Sequence, residues 1–176
     1  MSTPIGYLQE LVRAGGPEPD QYAQLSTVLE HFNLLERRGE FNYYGPDFKE
    51  DLMGRSLTFD TMQGFAYRKP HGHSGDFELI ERIYGDYKTP ETSLKKWDEF
   101  WSQQAFVKAF QNSRKYFKQT MQEVESLSQG ASVLNVASGS SRSVASYLEE
   151  TISNASFLCM DNNWKALDYA RLLCRE

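Results

Sequence analysis

Through the first 130 residues the apolar positions recur at helical spacing. After Pro19-Asp20, the residues Tyr22, Leu25, Leu29 and Phe32 fall at i, i+3, i+7 and i+10, the stripe of an amphipathic helix that stops near Gly39. A shorter helix is expected from Ile5 to Ala14. The segment FNYYGPDF, residues 41–48, gathers aromatics around Gly45-Pro46, a pair that continues neither helix nor strand, so an ordered loop is expected there. Asp76 has the character of an N-cap for a helix carrying Phe77, Ile80 and Tyr84, and Pro90 is placed to open the next, which holds Trp97 and Phe100. The longest pattern follows: Phe110, Phe117, Met121 and Val124 repeat at intervals of seven, four and three, and Gly130 is a natural stop.

Beyond Gly130 the pattern changes. Val133, Leu134 and Val136 make a short apolar run; Val144, Ala145, Leu148 and Ile152 share a helical face; Phe157-Leu158-Cys159-Met160 is a second short run; Trp164, Leu167, Ala170 and Cys174 share a second helical face. The order is β-α-β-α, and strands without polar alternation are those of a parallel sheet covered on both faces. The fold class expected is α/β: a helical N-terminal region, residues 1–130, followed by the first β-α-β-α of a Rossmann-like domain, residues 131–176. Only two strand signals are present and the chain closes on RLLCRE without a capping signal, so we expect the N-terminal part of a larger protein. A strand edge left open in this way invites pairing with a second copy or with a missing partner segment.

Composition narrows the partners. Nineteen basic against 24 acidic residues give a net charge of −5, which creates no field to gather nucleic acid or anionic lipid. Cys159 and Cys174 are the only cysteines, too few for a disulfide framework or a multi-cysteine metal site. The N-terminus MSTPIGYLQELVRAGG lacks the unbroken apolar stretch of a signal peptide, and no run approaches a membrane span of about 20 residues. A cytoplasmic protein acting on a small molecule is expected.

Chemistry concentrates in SVLNVASGSSRSVASYL, residues 132–148. A strand-to-helix junction presents free backbone N–H groups and a positive helix end at the carboxyl rim of the sheet, and small residues there let a ligand approach. Asp161 stands directly after the second strand, 22 residues beyond Gly139, where doubly wound folds carry the acid that receives ribose hydroxyls. A dinucleotide fingerprint needs G-x-G-x-x-G, and the matching frame reads Ala137, Gly139 and Arg142; the arginine argues against NAD. No lysine completes a phosphate-binding P-loop.

VLNVASGSSRSV followed by FLCMDNNWKALDYA resembles the first two motifs of class I S-adenosylmethionine-dependent methyltransferases, over residues 132–174. That resemblance implies that Ala137, Ser138, Gly139 and Ser140 pass beneath the methionine part of the cofactor, that Asp161 binds the ribose hydroxyls and that Asn162 lies near the adenine. The family pattern commonly has an acid at Asn135 and three glycines where this chain keeps only Gly139; the resemblance keeps Asn135 among the cofactor-binding residues, without a charged contact there. Upstream, KPHGHSGDFELIERIY, KKWDEFW and NSRKYF are similar to the N-terminal region of bacterial methyltransferases of extracellular-factor, 3-hydroxy-fatty-acid methyl ester synthesis, which implies a carboxylate acceptor.

A carboxylate acceptor needs no base, whereas a hydroxyl or amine acceptor calls for one, and His71 and His73 are then the first candidates. The same H-x-H segment reads better as a structured polar loop than as a metal site, and no metal is expected. Gly72 and Gly75 give it backbone freedom beside Arg68 and Lys69, and with Asp76 capping the next helix it has the makings of a lid over a ligand. Arg114 would reach a cofactor carboxylate or be paired at the surface; Tyr43 and Tyr44 read as packing residues, and Trp97, Trp101 and Trp164 as core or interface residues. Two rival readings stay open: a Rossmann enzyme of the NAD type, and a non-catalytic interaction module whose working part is residues 1–130.

Overall fold

The computed structural model describes residues 3–40, 47–72, 76–128 and 130–174. The chain forms two compact units: residues 1–74 with 86–104, and residues 75–85 with 105–176. This division by packing differs from the change of periodicity at residue 130, because two helices upstream of the first strand belong to the same unit as the sheet.

The first unit is helical. Helix α1 (Pro4–Arg13) starts where the hydroxyl of Thr3 accepts the Gly6 N–H at 3.1 Å, and α2 (Tyr22–Arg37) follows a 3-10 turn. Two short helices were not expected, α3 (Phe48–Met53) and α4 (Met62–Arg68), and α6 (Lys95–Ser102) completes the unit. Phe48 therefore opens a helix rather than closing a loop, and residues 41–46 lie outside the described residues. Pro90 does not open α6 either; a 3-10 turn at Thr92–Leu94 intervenes. The stripe read from α2 faces inward: Leu25 and Phe32 join Leu8, Leu11, Leu52, Trp97 and Phe100 in one buried cluster, with Trp97 1% exposed. Such a cluster supplies about 1.5–3 kcal/mol per fully buried large side chain. Asp98 is wholly buried and accepts the backbone N–H of Met62 at 2.7 Å and of Thr89 at 2.6 Å, fastening the start of α4 to the turn before α6. Gly64, inside α4, has no room for a side chain, since a Cβ would lie 2.0 Å from the Thr58 carbonyl oxygen.

In the second unit, α5 (Phe77–Tyr84) begins at the expected cap, where buried Asp76 accepts the Leu79 N–H at 2.8 Å. Helix α7 (Ala105–Leu127) packs on α5 and on α8 (Arg142–Glu150), which packs in turn on α9 (Trp164–Leu173). Strands β1 (Ser132–Val136) and β2 (Ser156–Met160) pair in parallel, in register from Ser132 opposite Ser156 to Val136 opposite Met160. Mixed helices with a small parallel sheet are thus present. Coverage of both sheet faces is not, among the described residues: Phe157 packs with Phe117 of α7 and Tyr147 of α8 on one face, while Leu134, Val136, Leu158 and Met160 on the other are 50–67% exposed. All the described helices that meet the sheet lie on its Phe157 face, and the uniformly apolar strand sequences conceal that asymmetry.

Two further expectations are corrected here. Ile152 does not share the face of α8, because the backbone turns extended at Thr151 and leaves Ile152 fully exposed. Trp164 is 67% exposed at the first position of α9, whose buried face is Ala166 and Ala170; its ring lies 5.9 Å from the Lys165 ammonium. No helix among the described residues is long and apolar enough to cross a membrane.

Candidate functional site

The carboxyl ends of both strands meet in one tight construction. As β1 ends, Ala137, Gly139 and Ser141 alternate in the left-handed region, at φ of 55°, 53° and 54°. Only glycine adopts that region without cost; alanine or serine held there stores roughly 1–2 kcal/mol each. The bend is closed by backbone bonds from Ser138 N–H to the Met160 carbonyl, 2.9 Å, and from Ser141 N–H to the Ser138 carbonyl, 2.8 Å. Asp161 then ties the two strand ends together. One carboxylate oxygen accepts the Gly139 N–H at 2.8 Å and the other accepts the Asn163 N–H at 2.8 Å.

The residues expected at the site divide accordingly. Ala137, Ser138, Gly139 and Asp161 are brought together, and Asn162 is exposed beside them. Ser140 is 3% exposed and its hydroxyl donates to Glu81 of α5, so that group is already committed. Asn135 points to the helix-covered face, where its amide approaches the Cys159 sulfur at 4.0 Å. His71 and Gly72 belong to the first unit, in a turn closed by Gly72 N–H on the Lys69 carbonyl at 2.8 Å, whereas Asp76 caps α5 in the second. His73 and Gly75, like Tyr43 and Tyr44, lie outside the described residues. Trp97 and Trp101 are core residues of the first unit.

Two carboxylates that the sequence did not single out hold the construction. Glu81 receives Arg142 through Nε at 2.9 Å and through Nη2, besides the Ser140 hydroxyl; this bond to Glu81, above all, raises the arginine pKa and locks it in its charged form. Arginine in the third-glycine slot is therefore a structural fastening of α8 to α5. Glu125 of α7 accepts from Ser153 at 2.6 Å, from Tyr147, and from the N–H groups of Asn154 and Ala155 at 3.1 Å each, pinning the loop between α8 and β2. The Ser153 hydroxyl bond, followed by that from Tyr147, holds its carboxyl below the ordinary range.

What remains unspent is informative. The hydroxyl oxygens of Ser138 and Ser141 are buried without a hydrogen-bond partner among the described residues, and the first turn of α8 carries N–H groups that no helix satisfies internally. Each Asp161 oxygen keeps a second lone pair. No cluster of three or more metal-ligating side chains occurs among the described residues. Comparison with known proteins finds no matching family model, no matching curated protein and no matching solved structure.

Proposed function

We propose that this chain carries part of an S-adenosylmethionine site and that its biochemical role is methyl transfer to a small-molecule acceptor. The reading rests on one observation, the hydrogen bond from the Gly139 N–H to Asp161, which joins a strained small-residue bend to an acid across parallel strand ends. A Rossmann-like placement of the cofactor along that rim accords with a binding edge at the carboxyl ends of parallel strands.

Two features of the site fit such a cofactor. The resembled methyltransferases carry three glycines at this bend, and the bend here takes three left-handed residues, Ala137, Gly139 and Ser141. The orphaned hydroxyls of Ser138 and Ser141 are suited to an amino-acid carboxylate, and Asp161 to a ribose diol through its remaining lone pairs. When bound, the sulfonium would supply an electrophilic methyl group. The chain's part is positional: Asp161 orients, the bend admits the ligand closely, and Glu81 with Arg142 keeps α8 rigid beneath it. A carboxylate acceptor, as in the fatty-acid methyl ester reading, would require no proton transfer from His71 or His73.

Calorimetric titration with S-adenosylmethionine and with NAD tests the assignment. Binding of the first and not the second is expected, and Asp161→Ala should weaken it by about tenfold or more while the far-ultraviolet dichroism stays intact. Binding of NAD instead, or S-adenosylmethionine affinity indifferent to Asp161→Ala, would discard it.

A further inference from the structure

A second set of unspent polar groups lies within the same unit, between α7 and the flank of α8. A cavity of about 460 Å³ opens there, lined among others by Tyr84, Gln111, Arg114, Lys115, Lys118 and Ser146. Such a volume falls in the range of small-molecule sites. Ser143 and Glu150, one turn either side of Ser146 and Tyr147 on α8, complete the α8 wall.

Charge in the cavity does not balance. Glu150 meets Arg114 at 3.5 Å and Lys118 more closely, and these cations, Lys118 foremost, hold its carboxyl below the ordinary range, so the glutamate stays ionised. Among the described residues, one anion against Arg114, Lys115 and Lys118 leaves two positive charges over. Arg114 is further steadied over the Tyr84 ring at 5.9 Å. Lys115, Gln111, Ser143 and Ser146 make no side-chain hydrogen bond or ion pair among the described residues, although Ser146 is only 5% exposed. Its hydroxyl opens on the cavity, with both donor and acceptor capacity free for a ligand. Here it faces a cationic hollow with other idle donors around it.

We propose that this cavity binds the phosphate group of a small phosphorylated ligand. Two surplus positive charges match a phosphate monoester dianion, and its three terminal oxygens can accept from an ammonium, an amide and two hydroxyls together, where a carboxylate offers only two oxygens. Arg114 and Lys118 hold Glu150 aside and keep the field positive; Lys115 supplies the direct charge contact; Ser146 and Ser143 read the oxygens from the α8 side. Its lining shares no residue with the Gly139 and Asp161 bend.

Inorganic phosphate and phenyl phosphate, titrated into the full chain at pH 7.5 and constant ionic strength against chloride, give the test; saturable binding of both is expected, and the ester should bind more tightly if the cavity serves a phosphorylated molecule rather than the free ion. Lys115→Gln, a change at an exposed position, should weaken both by about tenfold, and Glu150→Gln, which removes the one repelling charge, should tighten both by a few fold. A purely structural ion-pair cluster would show no gain in affinity in Glu150→Gln. Absence of saturable binding by either probe, or binding that neither variant alters, overturns the proposal.

Discussion

The two units bury their apolar residues by different means. In the first, every stripe that periodicity marks finds another helix, and Trp97 disappears among Leu8, Leu25 and Phe100. In the second, the sheet closes on one side around Phe117, Tyr147 and Phe157 and lies open on the other at Leu134, Val136, Leu158 and Met160. The difference follows from element type. A helix has one apolar stripe and is satisfied by one neighbour, whereas a strand of a parallel sheet has two faces and needs two. The same unit that leaves a face open also leaves polar groups unpartnered, the buried hydroxyls of Ser138 and Ser141 at the strand ends.

Truncation of the closed core should have the largest effect. Trp97→Ala is expected to cost about 3–5 kcal/mol in urea unfolding, a cavity deep in a helical layer that cannot collapse. Next comes Asp98→Ala, which strands two buried donors, the N–H groups of Met62 and Thr89, for a loss of roughly 2–5 kcal/mol. Asp98→Asn keeps one acceptor and should lose less. If either costs under about 1 kcal/mol, the contrast between a closed and an open unit fails.

At the bend the sign reverses. Ala137→Gly should stabilise by about 1 kcal/mol, since glycine releases the strain of φ 55°, partly offset by its freer unfolded chain. Ala137→Val should destabilise by more than that, and an equal response to both substitutions would mean that the bend is not held left-handed.

How much of this was legible depends on the range of the interaction concerned. Asp76 was readable because an N-cap acts within three residues, and Gly139 with Asp161 was readable because parallel strands of equal length bring their own ends together. Helix α4 was not, for it spans two turns and contains Gly64, which marks a break in a sequence yet is required here by the Thr58 carbonyl pressed against it. Glu81 and Glu125 sit on helices among other charged residues, and nothing local distinguishes an acid that clamps a distant arginine or a loop from one that faces water. The open sheet face was hidden for a related reason: apolar strand residues look alike whether or not something covers them.

A smaller effect belongs to pH. The Glu125 carboxyl lies below its ordinary value because the hydroxyls of Ser153 and Tyr147 favour the ionised form. A lowered acid contributes stability that is fully present above the unfolded-state pKa and disappears as pH falls through the folded one. Urea midpoints should therefore drop between pH 6 and pH 3 more steeply in the unaltered protein than in Glu125→Gln. Glu150, lowered chiefly by Lys118, leaves a residual slope in that variant, so the two curves should converge without becoming flat.

The smallest change is expected on the open face, and it is the sharpest probe of the comparison. Leu134 and Leu158 stand opposite each other in the register with their side chains largely in solvent, so replacing both by threonine removes little buried area and keeps strand propensity. Unfolding free energy should move by no more than about 0.5 kcal/mol, in contrast to Trp97→Ala. The readout that discriminates is concentration. If the face is bare in solution, midpoints of both proteins are independent of protein concentration; if a second copy covers it, the unaltered protein gains stability on concentration and the double variant does not. Sedimentation velocity on the same samples reports the mass directly, and a dimer dissolved by the two threonines would make the second unit as closed as the first.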